Sequence, residues 1–287
     1  VYRRRICDMT AQDAEIAGAQ AEGCEVLELT APLAIETGED GRVSGLRVQP
    51  QIIGEPRRGR PAPRAAATSE RVQWEDLDFD AFDAQPLDDP TLRVLRYMCD
   101  VEYHTSCYLR DLLVTRSHRK DEARGFMTTW NREEFWHGEA LAAVLKRHDI
   151  VVDYDELKAK RIKLGWREAL GPTKQSALSN LVGDDFLAVH NAWGAANELS
   201  AVAAYRRLAE QLEHPALSPL LKRIAQQETR HVAFYTTQAR MALERSAAAP
   251  KIVRTLMQTA WRPVGSGVID DSEVRYVMGH LFAGQGE

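Results

Sequence analysis

From Trp74 almost to the end of the chain, apolar residues recur every three or four positions, the spacing that lines one face of an α-helix. Over about 90 to 116 the stripe is Leu95, Met98, Glu102, Thr105, Leu109 and Leu112. Over about 119 to 147 it is Met127, Trp130, Glu134, His137, Leu141 and Val144. A third stripe, over about 183 to 212, holds Leu187, Gly194, Glu198, Ala201, Tyr205, Leu208 and Leu212. The fourth, over about 216 to 246, holds Leu221, Ile224, Glu228, His231, Tyr235 and Gln238. Four long helices are predicted, in two pairs that turn near Ser117-His118 and His214-Pro215. The stretch from about 148 to 182 is long enough to cross a bundle, with a helix over Asp153 to Ala169 followed by Gly171-Pro172.

The first 70 residues read differently. Ala11 to Glu22 suits a short helix stopped by Gly23, and Val1-Tyr2 reads as the end of a strand. Glu25 to Leu29, Leu33 to Glu36 and Arg42 to Ile53 alternate or carry β-branched residues, and Gly38 to Gly41 supplies a hairpin turn. From Gly54 to Ser69 the composition turns to Pro, Gly, Arg and Ala, as in a linker. The expected fold is mainly α: a helical bundle with extra helices over 71–287, preceded by a small, incomplete α/β segment over 1–70.

Charged residues stand on the apolar stripes, where they should not be. Glu134 and His137 are three apart on one helix, Glu228 and His231 three apart on another, and a lone glutamate (Glu102, Glu198) precedes each at a similar interval. At about 1.5 Å rise per residue, equal distances from the two turns put all four carboxylates at one level, roughly 20–25 Å from the turns. An unpaired buried carboxylate costs several kcal/mol, and the stripes carry no Arg or Lys to answer it. Two divalent cations balance four carboxylates and leave the histidines neutral. Glu102, Glu134, His137, Glu198, Glu228 and His231 are therefore the candidate metal ligands. An oxygen-rich set with two nitrogens favours iron, with manganese as the alternative.

Bulk properties narrow the setting. The chain has 287 residues, 44% hydrophobic and 28% charged, with a net charge of −5. That charge gives no reason to expect nucleic acid or an anionic membrane as partner. The arginines between Arg57 and Arg64 sit among Pro and Gly and read as a solvated loop. No apolar run approaches a membrane span and no signal peptide is visible. Cys7, Cys24, Cys99 and Cys107 form no CxxC and read as buried, reduced thiols of a cytoplasmic protein. The start at Val1 and the end after Phe282, without a helix stop, read as those of a fragment.

From about Leu87 to Leu243 the sequence resembles the ferritin-like di-iron superfamily, above all the acyl-carrier-protein desaturases and their relatives. Trp130-Asn131-Arg132-Glu133-Glu134-Phe135-Trp136-His137-Gly138 with Leu141 is similar to one of their metal motifs, and Gln227-Glu228-Thr229-Arg230-His231 to the other. The resemblance implies a ferritin-like four-helix bundle, the six ligands above, and Glu134 and Glu228 as the catalytic, bridging pair. It also implies a homodimer. Asn197-Glu198-Leu199 with Tyr205 departs from the desaturase pattern, which bears on the acyl substrate more than on the metals.

The first segment resembles part of the FAD/NADPH oxidoreductases related to the glutamate synthase small subunit. The matching residues are Val1-Tyr2-Arg3-Arg4, Met9-Thr10-Ala11, Glu22-Gly23, Thr30-Ala31-Pro32, Gly41 to Arg47, and Gly54-Glu55. By that resemblance Arg3 and Arg4 would hold the NADPH 2′-phosphate. The Gly-rich loops that cradle the FAD and NADPH pyrophosphates are absent from the sequence, so neither cofactor is expected on this chain alone.

The expected function is an oxygen-activating di-iron oxidoreductase: a desaturase, hydroxylase or N-oxygenase of an organic, acyl-type or carrier-bound substrate, with O2 and an external electron donor. The alternatives are a ferritin-like iron-binding or storage protein and a purely structural bundle. Tyr103, Tyr108, Tyr205 and Tyr235 read first as core, with Tyr205 and Tyr235 the preferred redox or proton-relay candidates. His104 is expected to be exposed, and His118, His148, His190, His214 and His280 lack partners at ligand spacing. Arg230 is expected to pair with Asp100 or Asp185, and Trp130 and Trp136 to wall the bundle. Gly194, Ala195 and Ala196 offer a gap for close helix packing or for substrate.

Overall fold

The computed structural model describes residues 1–2, 4–38, 41–57, 60–65, 70–153, 155 and 170–282. Arg3, nearly all of the helix expected over Asp153 to Ala169, and the tail from Ala283 to Glu287 lie outside the described residues. The chain divides into two units, Val1–Thr68 and Ser69–Glu287.

Among its described residues the first unit holds a short α-helix, α1 (Asp13–Ala21), and an antiparallel sheet in the order β1 (Thr30–Thr37), β2 (Val43–Arg57), β3 (Arg60–Ala65). Ile35 pairs with Leu46 and Ile52 with Arg64. Two expectations are corrected here. Glu25 to Leu29 is not a strand, although the Leu29 N–H bonds to Arg4 O at 3.0 Å and the Tyr2 N–H to Leu27 O at 2.7 Å. The expected linker contributes the end of β2 and all of β3. Prolines at 61 and 63 are tolerated because β3 is an edge strand, whose outward positions need no ladder N–H.

The second unit is mainly helical. After the single turn α2 (Ala81–Ala84), α3 (Asp89–Leu113) and α4 (Asp121–Arg147) form one hairpin. α5 (Gly171–Val182) leads to a second hairpin of α6 (Phe186–Leu212) and α7 (Leu217–Glu244), followed by α8 (Ala249–Ala260) and α9 (Asp271–Phe282). Local chemistry sets these ends. The Asp88 carboxylate accepts from Thr91 N–H at 3.0 Å and Pro90 opens α3. At the α6–α7 turn His214 Nδ1 accepts from Ala216 and Leu217 N–H, both at 3.1 Å, and Nε2–H donates to Gln85 O at 2.9 Å. A cap of this kind is worth about 1 kcal/mol; His214 is structural.

Leu95, Leu141, Leu208, Leu221 and Ile224, one or two from each long helix, meet in a common core with no exposure to solvent. Burial of each such side chain contributes about 1.5–3 kcal/mol. The two helices of the first hairpin approach closely where a side chain vanishes. A Cβ at Gly138 would fall 2.9 Å from the Tyr103 ring, so α3 can lie against α4 only with glycine there.

Candidate metal centre

All four helices bring an acid into this core. Glu102, Glu134, His137, Glu198, Glu228 and His231 are buried and converge, so the structure brings together all six residues singled out from spacing. They form two overlapping groups: Glu102, Glu134, His137 and Glu228 in one, and Glu134, Glu198, Glu228 and His231 in the other. Within each group the ligand atoms lie within 4.8 Å of one another, and Glu134 and Glu228 belong to both.

The contacts inside the cluster are short and unfinished. His137 Nδ1 lies 3.0 Å from Glu228 Oε1 and 3.7 Å from Glu102 Oε2. His231 Nδ1 lies 2.8 Å from Glu228 Oε2 and 3.1 Å from Glu134 Oε1. Glu102 Oε2, Glu134 Oε1, Glu228 Oε1 and His137 Nδ1 are buried without a hydrogen bond. Burial raises the Glu134 carboxyl well above the carboxylate range, and repulsion from Glu228, Glu102 and Glu198 adds to it. Burial, reinforced by Glu228, lifts Glu198 to about 8. Burial opposes a charge on His137, but Glu228 and Glu102 outweigh it and raise the ring to about 10. His231 is raised likewise, chiefly by Glu228 against the effect of burial. Burial would raise Glu228 too, yet the two imidazoles beside it hold it below the usual range. Without metal, protons supply the positive charge that these acids need.

The outward sides of the two imidazoles are held by residues that spacing alone did not single out. The His137 Nε2–H donates to Gln227 Oε1 at 2.8 Å, and the His231 Nε2–H to Glu133 Oε2 at 2.7 Å. Gln227 and Glu133 immediately precede the shared pair Glu228 and Glu134, and each serves the histidine of the other motif. Both then converge on Glu70: its N–H donates to Glu133 Oε1 at 2.7 Å and its carbonyl accepts from Gln227 Nε2 at 3.0 Å. With both Nε2 atoms so engaged, both Nδ1 atoms are turned toward the acids, as metal-bound imidazoles require. The legible signal was the repeat of an acid or amide before each Glu-x-x-His; Glu70 left none.

Other side chains reinforce the cluster. The Tyr205 hydroxyl donates to Glu102 Oε1, and Trp130 Nε1–H donates to Glu198 Oε1 at 3.0 Å. Tyr205 and Tyr235 are buried, and burial raises both phenols above their ordinary value. Trp136 is half-buried beneath the Arg132 guanidinium.

Several expectations are corrected. Arg230 pairs with Glu70 at 2.7 Å and approaches Glu133 at 3.5 Å. Asp100 pairs instead with Arg96, and Asp185 accepts from Ser246. His104 is buried, edge-on to Tyr108, because α3 is covered beyond its stripe: Tyr97 on the same face donates to Val264 O. The four cysteines are free, but Cys7 and Cys24 are exposed and Cys107 is half-buried, since the first unit has no interior for the former two. Arg4 belongs to the first unit.

A cavity of about 740 Å³ opens against the cluster. Glu102, Glu134 and Glu198 line it, and Val101, Leu112, Leu178 and Trp193 are among the apolar residues around it. Gly194 also lines it, and a Cβ there would lie 2.5 Å from the Tyr235 ring, so the gap in α6 is taken up by packing of Tyr235.

No family model matches the chain. A putative NADPH glutamate synthase small chain of Cereibacter sphaeroides is 36% identical over 93 residues. The match covers 32% of this chain and 22% of that protein, so the chain spans about a fifth of its relative's length. No described helix is long and apolar enough to cross a membrane.

Proposed function

We propose that the second unit is a ferritin-like di-iron oxidoreductase that activates O2 to desaturate, hydroxylate or N-oxygenate an organic substrate. The observation that carries this reading is the pair of four-ligand groups sharing Glu134 and Glu228, buried at the end of a large cavity. The residues fit two metal ions. Four buried polar atoms without hydrogen bonds converge, both Nδ1 atoms face inward, and the carboxylate charge matches two divalent cations. Such a site suits iron, with manganese the second choice. Bound there, two ferrous ions would supply two electrons together to O2.

The chain's own residues have separable tasks. Glu102, Glu134, Glu198, Glu228, His137 and His231 bind; Gln227 and Glu133 orient the imidazoles; Tyr205 and Trp130 hold the outer oxygens of Glu102 and Glu198. The Tyr205 hydroxyl is also the proposed proton-relay group, since it already donates to a ligand oxygen. The cavity favours catalysis over the alternative, iron storage, because a storage site needs an ion path rather than room for an organic molecule. An acyl-type or carrier-bound substrate, an external electron donor and pairing of two copies belong to this reading on resemblance. The relative is named for NADPH; without Gly-rich loops in this sequence, Arg3 and Arg4 are proposed to bind neither NADPH nor FAD here.

Anaerobic loading with Fe(II), followed by O2 exposure under absorbance monitoring, tests the reading. The expected result is about two irons per chain and a new absorption band that Glu134→Ala lacks. No bound iron, or the same band in Glu134→Ala, would sink it.

A further inference from the structure

In the sequence His190 lacks a partner at ligand spacing. It lies on the wall of the cavity, only 6% exposed, and neither ring nitrogen has a hydrogen-bond partner among the described residues. Among the described residues its ring contact is edge-on to Tyr235, with centroids 5.8 Å apart. His214 caps a helix through its ring, and His137 and His231 are held through Nε2; His190 has neither kind of bond among the described residues. Burial lowers His190 to about 4, so near neutral pH it is an uncharged imidazole with one N–H to give and one bare nitrogen to receive. Buried polar groups rarely go unpaired, and an orphan beside a cavity points to a partner inside it.

The position defines where that partner sits. His190, Gly194 and Glu198 follow one another on a single face of α6, and the Tyr235 ring fills the gap over Gly194. Two helical turns, about 12 Å of rise, separate His190 from Glu198. Asn197, on the same wall, accepts from the Trp261 indole N–H at 3.0 Å and still has its amide N–H to offer. A plain hydrocarbon chain would bury the imidazole with nothing to bond.

We propose that His190 selects substrates: the cavity takes an apolar molecule carrying an uncharged hydrogen-bonding group such as a hydroxyl, about two helical turns from the metal end. His190 is thus a specificity-determining residue. The inference rests on the reading of the cavity as the substrate seat of the proposed oxidoreductase.

The probes are 1-naphthol and 1-methylnaphthalene, alike in shape but differing by a hydroxyl, with affinities measured by equilibrium dialysis on the full chain with and without Fe(II). The quantity is the preference for naphthol over methylnaphthalene in the wild type, divided by that preference in His190→Leu, which cancels the probes' own hydrophobicity. The expected ratio is about tenfold, the size of one buried polar group gaining its partner; His190→Gln, which keeps a donor and an acceptor, should retain most of it. Equal preferences in wild type and His190→Leu overturn the proposal. Should His190→Leu not fold, the imidazole 15N resonances of His190 in the wild type decide: a shift with naphthol and not with methylnaphthalene is expected, and no shift overturns it. A chain that binds two irons but shows no preference refutes the role of His190 alone. One that shows the preference but binds no iron supports that role and refutes the di-iron reading.

Discussion

The two units of the chain make opposite use of equally clear hydrophobic patterns. In the first, β1 and β2 pair in the expected alternation, yet Leu33, Ile35 and Val43 are 58%, 67% and 70% exposed, and no described residue is buried. In the second, leucines of four helices are wholly buried, and with them four glutamates and two histidines. Periodicity chooses the local element; burial needs a second surface at the right distance. Where that surface exists, it is strong enough to hold acids that would otherwise break the core apart.

The largest effect should come from removing the charge at the centre of that core. Glu228 stands between His137 and His231, both held protonated in the metal-free protein. Glu228→Gln leaves them without their main counter-charge and should cost about 3–5 kcal/mol, the usual consequence of breaking a buried ion pair. Urea unfolding of the metal-free protein, followed by helix signal, measures it. Glu36→Gln is the matching change in the first unit, where Glu36 pairs with Arg47 at 2.9 Å on an open surface. There no shift in the urea curve is expected. Equal effects in the two variants would erase the distinction drawn between the units.

Metal loading should separate them further. Ligands that bind only the folded form stabilise by mass action, about 4 kcal/mol at a thousandfold excess over the dissociation constant. For a helical unit of this size that is a rise of roughly 10 °C in the helical melting transition. The sheet of the first unit contributes no described ligand to the cluster, so its infrared signature should melt at the same temperature with or without metal.

The fold was legible where spacing carries physical content. The four stripes place the long helices within a few residues of where they lie, and the misplaced Glu102, Glu134, Glu198 and Glu228 are the acids that the structure brings together. What spacing cannot carry is contact between distant segments. Nothing in the sequence near Glu70 says that its peptide group joins Glu133 and Gln227, because that depends on how residues 70 to 74 pack. His104 was misjudged for the same reason: one apolar stripe predicts one buried face, and α3 is covered on two. The linker reading of Gly54 to Ser69 fails over the end of β2 and over β3 because Pro and Gly mark edge strands as well as linkers.

Smaller effects should follow from residues that orient ligands without binding. Glu133→Leu and Gln227→Leu each free one imidazole to rotate, and losses of about 10- to 100-fold in metal affinity are expected, with stoichiometry kept. Competitive titration against a chelator reads the affinity. The double variant should lose less than the product if Glu70 couples the two sides, since both lose the same anchor.

The smallest effect is the most decisive for the comparison. A chain beginning at Ser69 removes the whole first unit and keeps Glu70, whose N–H, carbonyl and carboxylate hold Glu133, Gln227 and Arg230. Its iron affinity and stoichiometry should match those of the full chain. A chain beginning at Arg71 is only two residues shorter but loses all three contacts, and should fall in affinity by about tenfold. If instead the Ser69 start already weakens iron binding, the first unit supports the metal centre after all; if the Arg71 start does not, the bonds to Glu70 leave the histidines no better held than they are without it.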